Sequence, residues 1–393
     1  MQQSAETPDS RAKTPDAAVL QAVERALAEL RRGASIVLYD WSGQGALVQA
    51  AEQATPEGLA ALAALTGTRP LLLLTARRAQ ALGLPGAGPL IASGGVMALA
   101  LEERQEERQA ASVRALADPT APPDRPFAAP GIATAPAGLP AGLDVAAVEL
   151  TKLARLLPAA LLAPLAGQPV QSPVAWADAR DLMAVSAANV AEYRFAAARG
   201  LTAVAEAAVP LAGAEQARIV AFRPDDGGME HLAIVIGEPA ADAPVLLRLH
   251  SECFTGDLLG SLRCDCGDQL RGAIQAMAAA GAGIVLYLMQ EGRGIGLVNK
   301  LRAYTLQDLG ADTLDANEQL GFDADERVYL PAAQMLHHLG FRKVRLLTNN
   351  PQKVAALSRF GIAVEERVGH SFPSNGHNDF YLATKASRFG HLF

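Results

Sequence analysis

The stretch that most constrains this chain runs from Leu247 to Leu270, LRLHSECFTGDLLGSLRCDCGDQL, because it gathers all three cysteines of the protein. Cys253, Cys264 and Cys266 stand in a C-x10-C-x-C spacing. Three thiols with no fourth ligand beside them point to a metal held at three corners and open at the fourth, which is a catalytic rather than a structural arrangement. Soft thiolates suit zinc, and an open position admits a water that becomes a nucleophile near neutral pH. A closed site completed by a fourth ligand such as His250 is the structural alternative, and buried cysteines without metal are the bland one. Cys264 and Cys266 flank Asp265, so a tight turn must aim both thiols at one ion, and Gly267 directly after them permits it.

A chain of 393 residues is long enough for two domains. With 50% hydrophobic and 19% charged residues, each half can bury a full core. The opening residues, MQQSAETPDSRAKTPD, hold no apolar run fit for a signal peptide, and no apolar stretch is long enough to span a bilayer. The expectation is a cytoplasmic protein with no membrane partner, in which clustered cysteines bind metal rather than form disulfides. A formal charge of −7 argues against a nucleic-acid binder but leaves room for a phosphate-bearing small substrate in a locally basic cleft.

Periodicity predicts mixed α/β structure in both halves. Residues 1–16 read as a polar disordered tail, and a helix with Leu20, Val23, Leu27 and Leu30 on one stripe stops at Gly33. Strands are predicted at 35–39, 70–74 and 159–162, and helices at 56–65 and 144–156. Glu102–Arg108 reads as a solvated charged face, and the Pro- and Ala-rich run 118–140 as a long loop or linker. The first half ends near 196–200. Two alternating strands at 217–222 and 230–236 follow, and a third at 245–250 feeds the cysteine stretch. Helices to about 280, over 294–309 and over 351–360 then alternate with strands at 283–289 and 344–348.

The cysteine stretch does not stand alone. QEGRGIGLVNKLRAYTLQDLGADTLDAN, LGFDADERVY and RLLTNNPQKV follow it, and the four motifs in this order resemble GTP cyclohydrolase II, the entry enzyme of riboflavin biosynthesis, over residues 201–393. The resemblance implies that Cys253, Cys264 and Cys266 hold Zn²⁺, whose bound water attacks C8 of the guanine ring of GTP and releases that carbon as formate. It implies GTP contacts at Arg248, Leu249, His250, Ser251, Glu252, Gln269, Glu291, Gly292, Arg293, Thr313, Thr348 and Lys353. The Glu291–Arg293 loop and the start of the helix after Thr348 are also places where backbone N–H groups favour an anion. Arg327 resembles the family's nucleophile at the α-phosphorus, with Asp325 as the proton acceptor that a guanidinium needs. Tyr304 matches a proton donor or relay in the ring-opening chemistry. The product implied is 2,5-diamino-6-ribosylamino-4(3H)-pyrimidinone 5′-phosphate with formate and pyrophosphate; Mg²⁺ is the expected second metal, and a homodimer the expected assembly. Taken singly, Asp325 and Arg327 read as surface charges, Tyr304 as core packing and Thr348 as a strand end.

Residues 17–200 resemble in outline a 3,4-dihydroxy-2-butanone 4-phosphate synthase domain, through AVERALAELRRGASIVLYD, AAEQATPE and AVELTKLARLLPAALLAPL. That family places an acidic run and an Arg-Glu-Asn-Glu-Gly-Asp motif after the first strand, where this chain has WSGQGALV and no carboxylate between Asp40 and Glu52. All seven histidines lie at or beyond His231, so this half has none for metal binding or acid–base work. The expectation is a degenerate, non-catalytic domain followed by a cyclohydrolase domain. The rival functions are a related enzyme acting on another purine nucleotide, a bifunctional enzyme, and a nucleotide-binding regulator with a structural zinc.

Overall fold

Short leucine-, valine- and alanine-rich runs bounded by glycine, proline and polar turns build the strands of this protein, and the strands assemble into two sheets. The computed structural model describes residues 15–101, 106–121, 133–134, 142–165, 172–225, 227–379, 384, 386 and 388. In the first half β1 (Ile36–Tyr39), β2 (Gly45–Ala50), β3 (Leu71–Thr75), β4 (Val96–Ala100), β5 (Ala133–Thr134), β6 (Ala159–Pro164) and β7 (Ala184–Ser186) pair in the order β5-β4-β3-β6-β2-β1-β7. Every pairing is antiparallel except β1 with β7.

In the second half β8 (Thr202–Ala208), β9 (Ala217–Arg223), β10 (His231–Gly237), β11 (Val245–Ser251), β12 (Ala282–Leu288), β13 (Lys343–Leu347) and β14 (Ala363–Val368) run in the order β14-β13-β11-β12-β10-β9-β8. Pairing is antiparallel from β8 to β12 and parallel from β12 through β11 and β13 to β14. The carboxyl ends of β11, β12 and β13 therefore face one way, which is where open α/β sheets bind ligands. The predicted strand-rich start and later α/β alternation is the architecture observed.

Several boundaries differ for local reasons. The strand Gly45–Ala50 carried no prediction; it is buried along its whole length, so it shows no alternation. The helix expected from Gly294 begins at Leu297, because Gly292, Arg293, Gly294 and Gly296 all have positive φ. The helix Leu143–Leu153 ends before Leu156, with Arg155 at φ 61°. Helix begins at Pro15, and the rest of the expected tail lies outside the described residues. The charged run falls partly outside them and partly in the helix Glu106–Ala117; the expected 118–140 loop lies mostly outside. Among the described residues no helix is long and apolar enough to cross a membrane.

The division near residue 200 separates the sheets but not the cores. Ile295, Ala303, Leu306, Ala316, Leu320 and Phe322 belong to the same buried cluster as Leu47, Leu72, Leu161 and Trp176 of the first half. Thr75 Oγ1 donates to Gly321 O at 2.7 Å, and Arg78 Nη1 donates to Gln319 O at 3.0 Å. Gly321 has φ 93°, and a Cβ there would come within 2.8 Å of Thr75 Oγ1.

Candidate active site

The three cysteines meet where β11 ends. Cys253 follows the strand, a single π-helical turn (Phe254–Leu258) turns the chain back, and Cys264 and Cys266 sit at the start of the helix Cys266–Ala279. Their sulfurs all lie within 4.8 Å of one another, with Cys253 Sγ and Cys264 Sγ 3.7 Å apart. Two thiolates on a tetrahedral zinc at about 2.3 Å each stand about 3.8 Å apart. The donor set fits zinc in softness, number and spacing. His250 is not part of it: its Nε2 lies 3.0 Å from both carboxylate oxygens of Asp257, and its ring stacks on Tyr287.

Two glycines make this closeness possible by having no side chain. A Cβ on Gly256 would lie 2.8 Å from Cys264 Sγ and 3.0 Å from Cys253 Sγ. A Cβ on Gly267 would lie 2.4 Å from Gly256 O. Gly267 lies in the first turn of the helix without a positive φ, so what it supplies is clearance rather than the backbone freedom expected at a tight turn.

Sequence reasoning missed Lys300 and Asp257. Lys300 Nζ donates to Cys253 Sγ at 3.1 Å, Thr255 Oγ1 at 3.0 Å and Glu291 Oε1 at 2.8 Å. Burial opposes its charge, but Cys253 and Glu291 outweigh burial and hold the ammonium above its ordinary range. Hydrogen bonds from Cys264 and Cys266, reinforced by Lys300, hold the Cys253 thiol far below its usual value. The hydrogen bond to Cys253 then pushes Cys264 up to about 11, and bonding to both neighbours together with burial raises Cys266 as well. The trio holds one negative charge readily and resists more until a cation joins it. Asp257 accepts from Cys253 N at 3.0 Å and Tyr287 Oη at 2.9 Å, fixing the turn that follows Cys253.

Tyr304 Oη lies 3.4 Å from Thr255 Oγ1, which in turn touches Lys300 and lies 3.8 Å from Cys253 Sγ. Burial raises the Tyr304 phenol, so it stays protonated and able to donate. Arg327 Nε donates to Asp325 Oδ1 at 2.8 Å and Nη2 to Oδ2, while Nη1 lies 3.5 Å from Ser251 Oγ at the end of β11. Burial works to raise the Asp325 carboxyl, but the Arg327 hydrogen bond and charge hold it below the usual range.

A cavity of about 120 Å³ reaches both the cysteines, at Cys253 and Cys266, and Arg327. Its wall includes Cys253, Cys266, Arg248, His250, Ser251, Glu252, Gln269, the Glu291–Arg293 loop, Lys300, Arg327, Thr348 and Lys353. Arg248, whose guanidinium burial lowers to about 10, donates to Leu347 O at 3.0 Å and to Gln269 Oε1. Lys353 Nζ donates to Leu249 O at 2.8 Å, while the Leu249 side chain packs in the core. Glu291 faces the cavity with its carboxylate committed to Lys300, Gly292 N and Phe254 N. Leu249, Cys264, Tyr304, Asp325 and Thr313 do not line this wall: Cys264 touches Cys253, Tyr304 reaches Thr255 and Asp325 holds Arg327, whereas Thr313 opens the helix Thr313–Gln319 and accepts from Gln307. A larger cavity of about 660 Å³ between the halves shares Glu291 but has no cysteine and no Arg327, so the chemistry points to the smaller one.

The family model for GTP cyclohydrolase II matches residues 202–369. A protein of Azospirillum brasilense named GTP cyclohydrolase-2 is 53% identical over 378 residues, covering 96% of this chain and 95% of that protein. GTP cyclohydrolase-2 of Pseudomonas aeruginosa strain PAO1 is 58% identical over 44% of this chain and 83% of its own length. The riboflavin biosynthesis protein RibBA of Synechocystis is 46% identical over 63% of this chain and 45% of its own. Among solved structures, RibBX, a two-domain 3,4-dihydroxy-2-butanone 4-phosphate synthase from A. baumannii, is similar at a TM-score of 0.35 and 20% identity, over 89% of this chain and 99% of that one.

Proposed function

This chain belongs to the GTP cyclohydrolase II family of riboflavin biosynthesis, and we propose that it is a zinc-dependent enzyme converting GTP to 2,5-diamino-6-ribosylamino-4(3H)-pyrimidinone 5′-phosphate, formate and pyrophosphate. The observation that carries this reading is one cavity lined by Cys253 and Cys266 of the cysteine trio and by Arg327, the partner of Asp325. Cys253, Cys264 and Cys266 would hold the zinc, which would supply Lewis acidity toward a water and C8 of the guanine ring. Around it, Tyr304 donates a proton to the opening ring, through Thr255 or directly. Arg248 and Gln269 fix one side of the nucleotide, and Arg293 and Lys353 bring positive charge to the phosphates.

Arg327 attacks the α-phosphorus and pyrophosphate leaves, and water then cleaves the Arg327–phosphorus bond to free the 5′-phosphate and regenerate the guanidinium. The Asp325 carboxylate, already bonded to the guanidinium, takes the proton that makes this attack possible. Mg²⁺ accompanies the triphosphate, and Glu252 Oε2, buried without a hydrogen-bond partner among the described residues, is the protein oxygen suited to it. Two chemistries thus work at two ends of one substrate.

Residues 17–200 form, in this reading, a 3,4-dihydroxy-2-butanone 4-phosphate synthase-like domain without catalysis, ahead of the cyclohydrolase domain at 201–393. Asp40 is committed to its own hairpin, accepting from Ser42 N and Gln44 N. Glu52 accepts from Leu157 N and pairs with Arg302. Neither is left for an enolising metal site. We also propose a cytoplasmic homodimer. Exposed Leu258, Leu259 and Leu262 lie on a segment joined by Arg263–Asp308 to a helix exposing Val298 and Leu301, and this apolar set suits a second copy. A monomer mass by light scattering would remove the dimer. Incubation of the purified protein with GTP, Mg²⁺ and Zn²⁺ should yield formate and the diaminopyrimidine by mass. GTP binding without either product would favour a regulator, and faster turnover of another purine nucleotide would change the substrate.

A further inference from the structure

We propose that the first half positions the phosphate-facing wall of the active site through Lys152 and Arg155, an inference that rests on the cyclohydrolase reading. Both residues lie where the helix Leu143–Leu153 runs out against the second half. Lys152 Nζ donates to Glu326 Oε1 at 2.7 Å, and the two side chains are only 12% and 10% exposed. Glu326 stands between Asp325 and Arg327. The same Oε1 accepts from Asp323 N at 2.9 Å, and Arg194 Nη1 donates to Glu326 O at 3.2 Å while Glu149 holds Arg194. Three groups of the first half thus fix the segment that carries the nucleophile and its base.

Arg155 holds the other wall. Its backbone has φ 61° in the left-handed turn that closes the helix, where Arg155 N donates to Lys152 O and Leu156 N to Thr151 O. Its Nη2 donates to Met289 O at 3.3 Å, at one end of the loop that carries Glu291, Gly292 and Arg293. Its stem covers Gly296 at the other end, where a Cβ would come within 3.2 Å of Arg155 Cβ. Fully buried Asn299 donates to the carbonyls of Arg155 and Leu156 at 3.1 and 3.4 Å, anchoring the helix that presents Lys300.

The loop cannot hold this shape cheaply by itself. Gly292, Gly294 and Gly296 have positive φ, and so does Arg293 at 63°, which is strained for a residue with a side chain. The two walls are also joined, because Glu326 N donates to Arg293 O at 3.1 Å. Lys152 and Arg155 clamp this joined unit from outside, and neither lines the cavity that holds Arg327 and the cysteines. They are positioning residues, and they give the non-catalytic half a task in the reaction.

The test uses the full-length chain with Lys152→Met, Arg155→Ala and the conservative Lys152→Arg. The rate of pyrophosphate formation from GTP should fall on the order of ten- to a hundredfold in the first two, as small misplacements of catalytic groups do. The GTP KM and the zinc per chain should stay at wild-type values, and Lys152→Arg should restore most of the rate. Hydrogen exchange without nucleotide should quicken over 289–297 and 323–328 but not over β11. Wild-type turnover in both variants, a loss that follows zinc content and melting temperature alone, or unchanged exchange in these segments would each overturn the proposal. If the wild type makes no pyrophosphate while exchange responds as described, the cyclohydrolase reading fails and the clamp stands.

Discussion

Gly256 offers the sharpest test of how the cysteine site is built. Replacing it by alanine puts one methyl group 2.8 Å from Cys264 Sγ, 3.0 Å from Cys253 Sγ and 3.0 Å from Cys266 Cβ. The first contact is shorter than carbon and sulfur tolerate, the other two are tight enough that a neighbour must give, and the neighbours are the cysteines themselves rather than flexible chain ends. Overpacking of this kind costs about 1–3 kcal/mol. If the strain is relieved by spreading the thiols, it appears as weakened metal binding, about 5- to 150-fold in the dissociation constant. Competition with a chromogenic chelator measures that constant, and formate release at rising zinc concentration should recover part of the lost activity. Gly88→Ala serves as the control, since nothing lies within 4 Å of a Cβ there. Zinc affinity within twofold of wild type in Gly256→Ala, with formate release unchanged, would refute the clearance argument.

Three further outcomes follow from the same geometry. Cys264→Ser should lose formate release while pyrophosphate formation persists, because Arg327 and Asp325 act at a separate centre; paired assays of the two products check this, and formate at the wild-type rate would contradict the zinc assignment. His231 accepts from Met289 N at 3.0 Å, and burial, with the Arg155 charge, lowers its pKa to about 4. The unfolded chain therefore binds that proton more readily, so stability falls as pH drops from about 6.5 to about 4, by at most about 3 kcal/mol and less for the part of the ring that meets solvent. His231→Gln should flatten this part of the urea-midpoint profile, and superimposable profiles would sink the idea. A chain starting at Leu201 exposes Ile295, Leu306, Leu320 and Phe322, forfeiting about 6–12 kcal/mol of burial. It should be poorly soluble or melt far below the full chain, and a melting temperature equal to that of the full chain would contradict the shared core.

Much of this site was legible because its residues lie in long motifs that end strands. Arg248, His250 and Ser251 end β11 and Glu252 and Cys253 follow it, while Glu291 to Arg293 and Thr348 follow β12 and β13, and the parallel carboxyl ends of these strands bring them to one cavity. Lys300 was hidden because a lysine in a helix reads as solvated; here the face that bears it is covered, and Cys253 and Glu291 stabilise the buried charge. Asp257 was hidden because its three partners come from β11, β12 and a π-helical turn that no periodicity announces. The reason for Gly267 was mistaken because clearance from Gly256 O exists only once the turn has closed. Residue 200 is a true change of sheet, but Ile295, Leu306 and Leu320 carry no mark in sequence of whose core they fill. The links from Lys152 and Arg155 to the catalytic loop join residues more than a hundred positions apart, so they emerge only with the fold.

The central claim is that one cavity opens the guanine ring at the cysteine trio and releases pyrophosphate at Arg327. The most direct measurement feeds GTP labelled with ¹³C at C8 to the zinc-loaded protein and follows labelled formate by NMR beside enzymatic determination of pyrophosphate. The account predicts labelled formate and pyrophosphate in equal amounts from the wild type, and pyrophosphate without formate from Cys264→Ser. Absence of labelled formate from the wild type, or formate undiminished in Cys264→Ser, would contradict it.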